Sequence, residues 1–82
     1  NNIMTKEEVF TKVQAVIAEQ LEKDADKISM ETSFSEDLDA DSLDIFEVVD
    51  KLEDEFDIDI DTDENMDTVG KLVDYVSENI DK

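Results

Sequence analysis

From Thr5 onward, apolar residues recur with a helical period. Thr5-Lys6-Glu7-Glu8 has the form of a capping box, and Val9, Val13, Val16, Ile17 and Leu21 follow at spacings of three and four, with Phe10 widening the stripe. The pattern predicts a helix over 6–21. It then stops, and residues 22–40 are polar, irregular and long for a connection in a compact domain, which requires either anchors or a function. Ile28, Phe34 and Leu38 are spaced apolar residues able to pin such a loop over the helices, with Phe34 as a plug in the core.

A second helix is predicted from Asp41 or Ser42 to Phe56. Its apolar residues Ile45, Phe46, Val48, Val49, Leu52 and Phe56 are too many for one narrow stripe, so some must lie at the edge among the acids; Leu43 and Val48 are the candidates for semi-exposed hydrophobes that a partner covers. The alternation Asp57-Ile58-Asp59-Ile60-Asp61 has the period of a strand but no second segment with which to pair, and is read as a connection. A short helical turn over 62–67 and a last helix from Asp67 or Thr68 to Asn79 follow, the latter with Val69, Leu72, Val73, Val76 and Ile80 on one face and Tyr75 at its border. The expected fold is all-α: a small bundle of three main helices plus one short helix, with a long first loop. Its expected core holds Phe10, Val13, Ile17, Phe34, Leu38, Phe46, Val49, Leu52, Ile60, Leu72 and Val76.

Length makes this one domain over residues 1–82, with Met4 read as the native start and Asn1 to Ile3 as a remnant ahead of it. Without cysteine there is no disulfide framework and no thiolate metal site. Charge changes the picture most: 26 Asp and Glu stand against 7 Lys and no His, a formal net charge of -19 at pH 7. Binding to nucleic acid or to anionic membranes rests on basic residues and is excluded as a function; basic protein surfaces are the natural partners. No apolar run approaches a membrane span, and the N-terminus lacks the basic and apolar regions of a signal peptide, so a soluble, monomeric, cytoplasmic protein is expected, with a plastid or other organelle left open.

Candidate chemistry centres on Asp37-Leu38-Asp39-Ala40-Asp41-Ser42-Leu43-Asp44. Asp41 is a good N-cap and Asp44 stands where it completes a capping box, which puts Ser42 on the first helical position with its hydroxyl at the rim. Unpaired N–H groups and the helix dipole there favour an anion such as a phosphate ester. Taken alone, Ser42 is an ordinary helix-start serine. It is a poor catalytic serine, because no His is present as a base and nothing places a lysine beside it.

DADSLD followed by IFEVVDKLEDEF resembles the Asp-Ser-Leu motif and recognition helix of acyl carrier proteins, and the likeness extends over most of the chain. The resemblance implies that Ser42 bears covalent 4′-phosphopantetheine, transferred from coenzyme A by a phosphopantetheinyl transferase, and that the protein is not an enzyme. It would hold acyl chains as thioesters and deliver them to enzymes of fatty acid biosynthesis and acyl transfer, whose basic patches would dock on Asp41, Leu43, Asp44, Glu47, Val48 and Asp54. A pocket for the acyl chain would draw on Phe34, Phe46, Val49, Leu52, Ile60, Leu72 and Val76. By the same resemblance the turn over 62–67 would be the family's small third helix. Three positions depart from the common pattern: Asp39 replaces a glycine, Asp61 replaces a proline, and Asp50 replaces an apolar residue. Aspartate tolerates a left-handed backbone better than most residues, so the turn survives Asp39.

The stretch from Glu36 to Asp67 carries 16 acids and one base, Lys51. Such a run is commonly a solvated face. The resemblance makes part of it a docking face, and weak exposed ion pairs with fast electrostatic encounter suit transient partners. A twelve-residue calcium loop fits no register, since starts at Asp37, Asp57 and Asp59 place Ser42, Thr62 and Glu64 where glycine is needed; no metal site is expected. Two other functions remain open at this stage: a carrier for polyketide or peptide assembly, and an unmodified acidic protein-interaction module.

Overall fold

In the computed structural model, which describes residues 4–61 and 66–80, the chain folds into three α-helices: α1 (Lys6–Leu21), α2 (Ser42–Phe56) and α3 (Val69–Ile80). A single 3-10 turn, Ala25–Lys27, interrupts the first loop, and there is no strand among the described residues. The all-α prediction holds, and 57–61 is a connection rather than a strand. The short helix expected over 62–67 lies mostly outside the described residues.

Local chemistry starts each helix where the sequence places it. Thr5 and Glu8 form the complete capping box on α1, with Thr5 N–H donating to Glu8 Oε1 at 2.8 Å and Glu8 N–H to Thr5 Oγ1 at 3.1 Å. At α3 the hydroxyl of Thr68 accepts from Lys71 N–H at 3.3 Å. Glycine is the usual residue after a helix, yet α1 and α2 end on Glu22 and Asp57 with φ of 56° and 55°. The lone glycine does a different job. Gly70, inside α3, lets the first loop approach so closely that its N–H meets the Met30 carbonyl at 2.7 Å.

α1 packs against both α2 and α3, burying Val9, Val13 and Ile17 against Val48, Val49, Leu52, Leu72, Val73 and Val76. The loop anchors behave as expected, since Ile28, Phe34 and Leu38 are all buried. Backbone bonds stitch this loop to the start of α3: Phe34 N–H to Asp67 O at 3.1 Å and Val69 N–H to Thr32 O at 3.0 Å. From α1, Gln14 Nε2 donates to the carbonyls of Ala25 and Ile28, both at 2.8 Å, and so closes the 3-10 turn. A loop so anchored delivers Ser42 at a fixed place.

Three expectations about the core are corrected. Phe46, expected inside, is 60% exposed, and Val48, expected at the edge for a partner to cover, is fully buried. Helical geometry gives the reason. Val48 shares its stripe with Ile45 and Leu52, three and four residues away, and that stripe faces the core, whereas Phe46 is two residues from Val48 and turned about 200° from it. Phe10, also expected in the core, is only half-buried at its margin.

Candidate functional site

Asp41 and Asp44 set the position of Ser42. Asp44 N–H donates to Asp41 Oδ1 at 2.9 Å, and Asp41 N–H donates back to Asp44 Oδ2 at 3.2 Å. The reciprocal pair satisfies two backbone donors at the start of α2 and fixes Ser42 as the first helical residue. Ser42 is exposed, and its hydroxyl makes no hydrogen bond within the described residues. Three residues before it, Asp39 has φ of 53°, a left-handed backbone at the position where the resembling family has glycine.

Ser42, Phe46, Val49 and Glu53 follow one another at spacings of four, three and four, and so lie along one line of α2. Phe46, Val49 and Glu53 line a cavity of about 240 Å³, together with Asp50 and with Ile60 from the α2–α3 connection. The cavity begins one turn, or about 6 Å along the axis, from the serine. Of the seven residues named for an acyl pocket, Phe46, Val49 and Ile60 line this cavity, while Phe34, Leu52, Leu72 and Val76 are buried deeper in the core.

Around the helix from that line, Leu43, Glu47 and Asp54 share another face, four and seven residues apart. Leu43 is 65% exposed, and Glu47 and Asp54 are exposed as well. Glu47 Oε1 accepts from Gln20 Nε2 of α1 at 3.2 Å. Asp44 is half-buried in its cap. Val48 belongs to neither face, because it is enclosed in the core and unavailable to a partner.

Two participants, Glu53 and Tyr75, are not visible in the local pattern of residues. Glu53 Oε2 accepts the backbone N–H of Ile60 at 2.8 Å, and Tyr75 Oη accepts that of Asp61 at 3.0 Å, so α2 and α3 each hold one of two successive amides of the connection. Local spacing cannot reveal bonds between residues 7 and 14 positions apart. Phe46 as an exposed hydrophobe did leave a sign, in an apolar stripe too wide for one face.

An exposed serine at the capped start of a helix, in a small acidic fold with three α-helices among the described residues, offers a hydroxyl to which a group can be attached. Residues 11–76 match the family described as "Phosphopantetheine attachment site", and the chain belongs to that family. It is 59% identical over 70 residues to an acyl carrier protein of Streptococcus thermophilus, covering 85% of this chain and 93% of the relative. To an acyl carrier protein of Lactococcus lactis it is 51% identical over 71 residues, covering 87% and 96%. A solved structure of the acyl carrier protein from Enterococcus faecalis, 40% identical, superposes with a TM-score of 0.75 over 93% of this chain and 99% of that one. Family, relatives and fold support a carrier role in fatty acid synthesis, not that of an enzyme. The family's cofactor is covalent 4′-phosphopantetheine, and membership implies interaction with a transferase and with fatty acid synthesis enzymes.

Proposed function

We propose that Ser42 Oγ is the attachment point of 4′-phosphopantetheine and that the protein carries acyl chains there. When bound, that group supplies a thiol on which an acyl chain is held as a thioester. The observation supporting Ser42 is its placement: exposed, on the first turn of α2, held by the Asp41–Asp44 cap, and in line with the cavity one turn below. A phosphodiester at that position would lie where the amides and dipole of α2 favour an anion.

Leu43, Glu47 and Asp54, with Asp41 and Asp44 at the helix start, form the docking face for basic patches on the partner enzymes. Leu43 supplies an apolar contact and the acids supply steering, a combination that gives rapid encounter and easy release. The tail of the acyl chain rests in the cavity against Phe46, Val49 and Ile60, with Phe34, Leu52, Leu72 and Val76 reached only as that cavity deepens. The protein works as a cytoplasmic monomer. Ser42→Ala tests the attachment: it should fold and melt as the parent does yet accept no acyl group from acyl-coenzyme A and a phosphopantetheinyl transferase. Undiminished loading of that variant would overturn the assignment of Ser42.

A further inference from the structure

Glu53 has two roles in the geometry. Glu53 lines the cavity, and its carboxylate accepts the amide of Ile60, which lines the same cavity. Glu53 is half-buried and Ile60 is buried. On the next residue, the Asp61 amide donates to Tyr75 Oη at 3.0 Å. The only backbone–backbone bond from residues 57–61 to α2 beyond the helix cap is Ile58 N–H to Glu53 O at 3.3 Å, among the described residues. Side chains of two different helices therefore hold the connection where Ile60 lines the cavity.

We propose that Glu53 and Tyr75 form a two-point latch that sets how readily the cavity opens to an acyl tail. The inference rests on the reading of the cavity as the acyl site. Releasing the Ile60 and Asp61 amides to water lets the connection swing from α2, and Ile60 moves with it. Each bond resists that motion by an ordinary net hydrogen-bond contribution, so losing one should raise local opening by about three- to tenfold. Glu53 is a positioning residue here: it never touches the thioester, and acts through Ile60.

Four proteins test this: the parent, Glu53→Ala, Glu53→Gln and Tyr75→Phe, each loaded on its arm with an octanoyl group. In the unloaded forms, amide hydrogen exchange should speed up about three- to tenfold at Ile60 in Glu53→Ala and at Asp61 in Tyr75→Phe, and Glu53→Gln, which keeps a carbonyl acceptor, should restore most of the protection. In the loaded forms, the octanoyl thioester should resist hydroxylamine about three- to tenfold better in Glu53→Ala and Tyr75→Phe than in the parent, because the tail enters more readily. Faster exchange with unchanged thioester reactivity would overturn the latch as a gate, and unchanged exchange would overturn it as a latch. The parent alone tests the underlying reading. If octanoyl loading leaves the methyl resonances of Val49 and Ile60 unmoved, the cavity is not the acyl site and the gate falls with it.

Discussion

Gly70 N–H donates to the Met30 carbonyl oxygen at 2.7 Å, and a Cβ built on Gly70 would stand 2.7 Å from that same oxygen. The obstacle is backbone, which cannot rotate aside as a side chain would. Gly70→Ala must therefore push the first loop off α3. Overpacking of this kind costs about 1–3 kcal/mol, offset by roughly 0.5–1 kcal/mol from the better helix propensity of alanine. A net loss near 1 kcal/mol should lower Tm by about 4–8 °C in a domain of this size. Calorimetry on the purified variant checks it, and an unchanged or raised Tm would show that the loop has another way to seat.

Asp39 is the second place where backbone geometry decides the residue. Its φ of 53° is tolerable for aspartate and poor for a β-branched side chain. Asp39→Val should lose about 1–2 kcal/mol, while Asp39→Gly should stay within about 0.5 kcal/mol of the parent, since relief of strain is balanced by a freer unfolded chain. Denaturant midpoints at constant slope distinguish these outcomes.

Helix boundaries and the cap were legible because short-range chemistry determines them: Thr5 with Glu8 and Asp41 with Asp44 are bonds across three residues. The left-handed turn at Asp39 was implied only by the resemblance, which has glycine there. The loop anchors Ile28, Phe34 and Leu38 were legible too, as isolated apolar residues in a polar stretch that have few places to go but inward. Phe46 and Val48 were not. Six apolar residues on α2 fit several rotations of the helix, and only packing against α1 selects the one that buries Val48 and exposes Phe46. The Glu53–Ile60 and Tyr75–Asp61 bonds were likewise invisible, since they require the α2–α3 connection to be folded before either pair meets.

Val48 is enclosed in the core and Leu43 is exposed, so substitutions at the two should act on different properties. Val48→Ala should cost about 2 kcal/mol of stability by removing two buried carbons' worth of contact. Leu43→Ala should leave Tm nearly unchanged and weaken complexes with partner enzymes about fivefold or more, as expected when an exposed apolar anchor is lost at an interface. Melting curves and titration calorimetry against one synthesis enzyme read both effects. Equal destabilisation by the two substitutions would contradict the exposure difference on which the docking face depends.

A formal net charge of -19 opposes folding of so small a chain. Half-exposed pairs such as Lys12–Glu55 at 3.3 Å and Lys71–Asp67 at 3.1 Å, and the Lys6–Asp74 contact between α1 and α3, each return at most about 1 kcal/mol. Magnesium or calcium at fixed ionic strength should therefore raise stability by about 1 kcal/mol, or roughly 4–8 °C in Tm, without a single saturating site. No cluster among the described residues has the makings of a metal site, so the effect should build gradually with concentration. A flat melting curve across the titration would show that repulsion is relieved in some other way.

Intact-mass spectrometry before and after incubation with coenzyme A and a broad-specificity phosphopantetheinyl transferase, followed by peptide mapping, addresses the attachment itself. A single phosphopantetheine added, and mapped to Ser42, is the predicted result. Folded, unmodified protein that gains no mass, or that gains it on a residue other than Ser42, would contradict the assignment of the exposed serine at the start of α2.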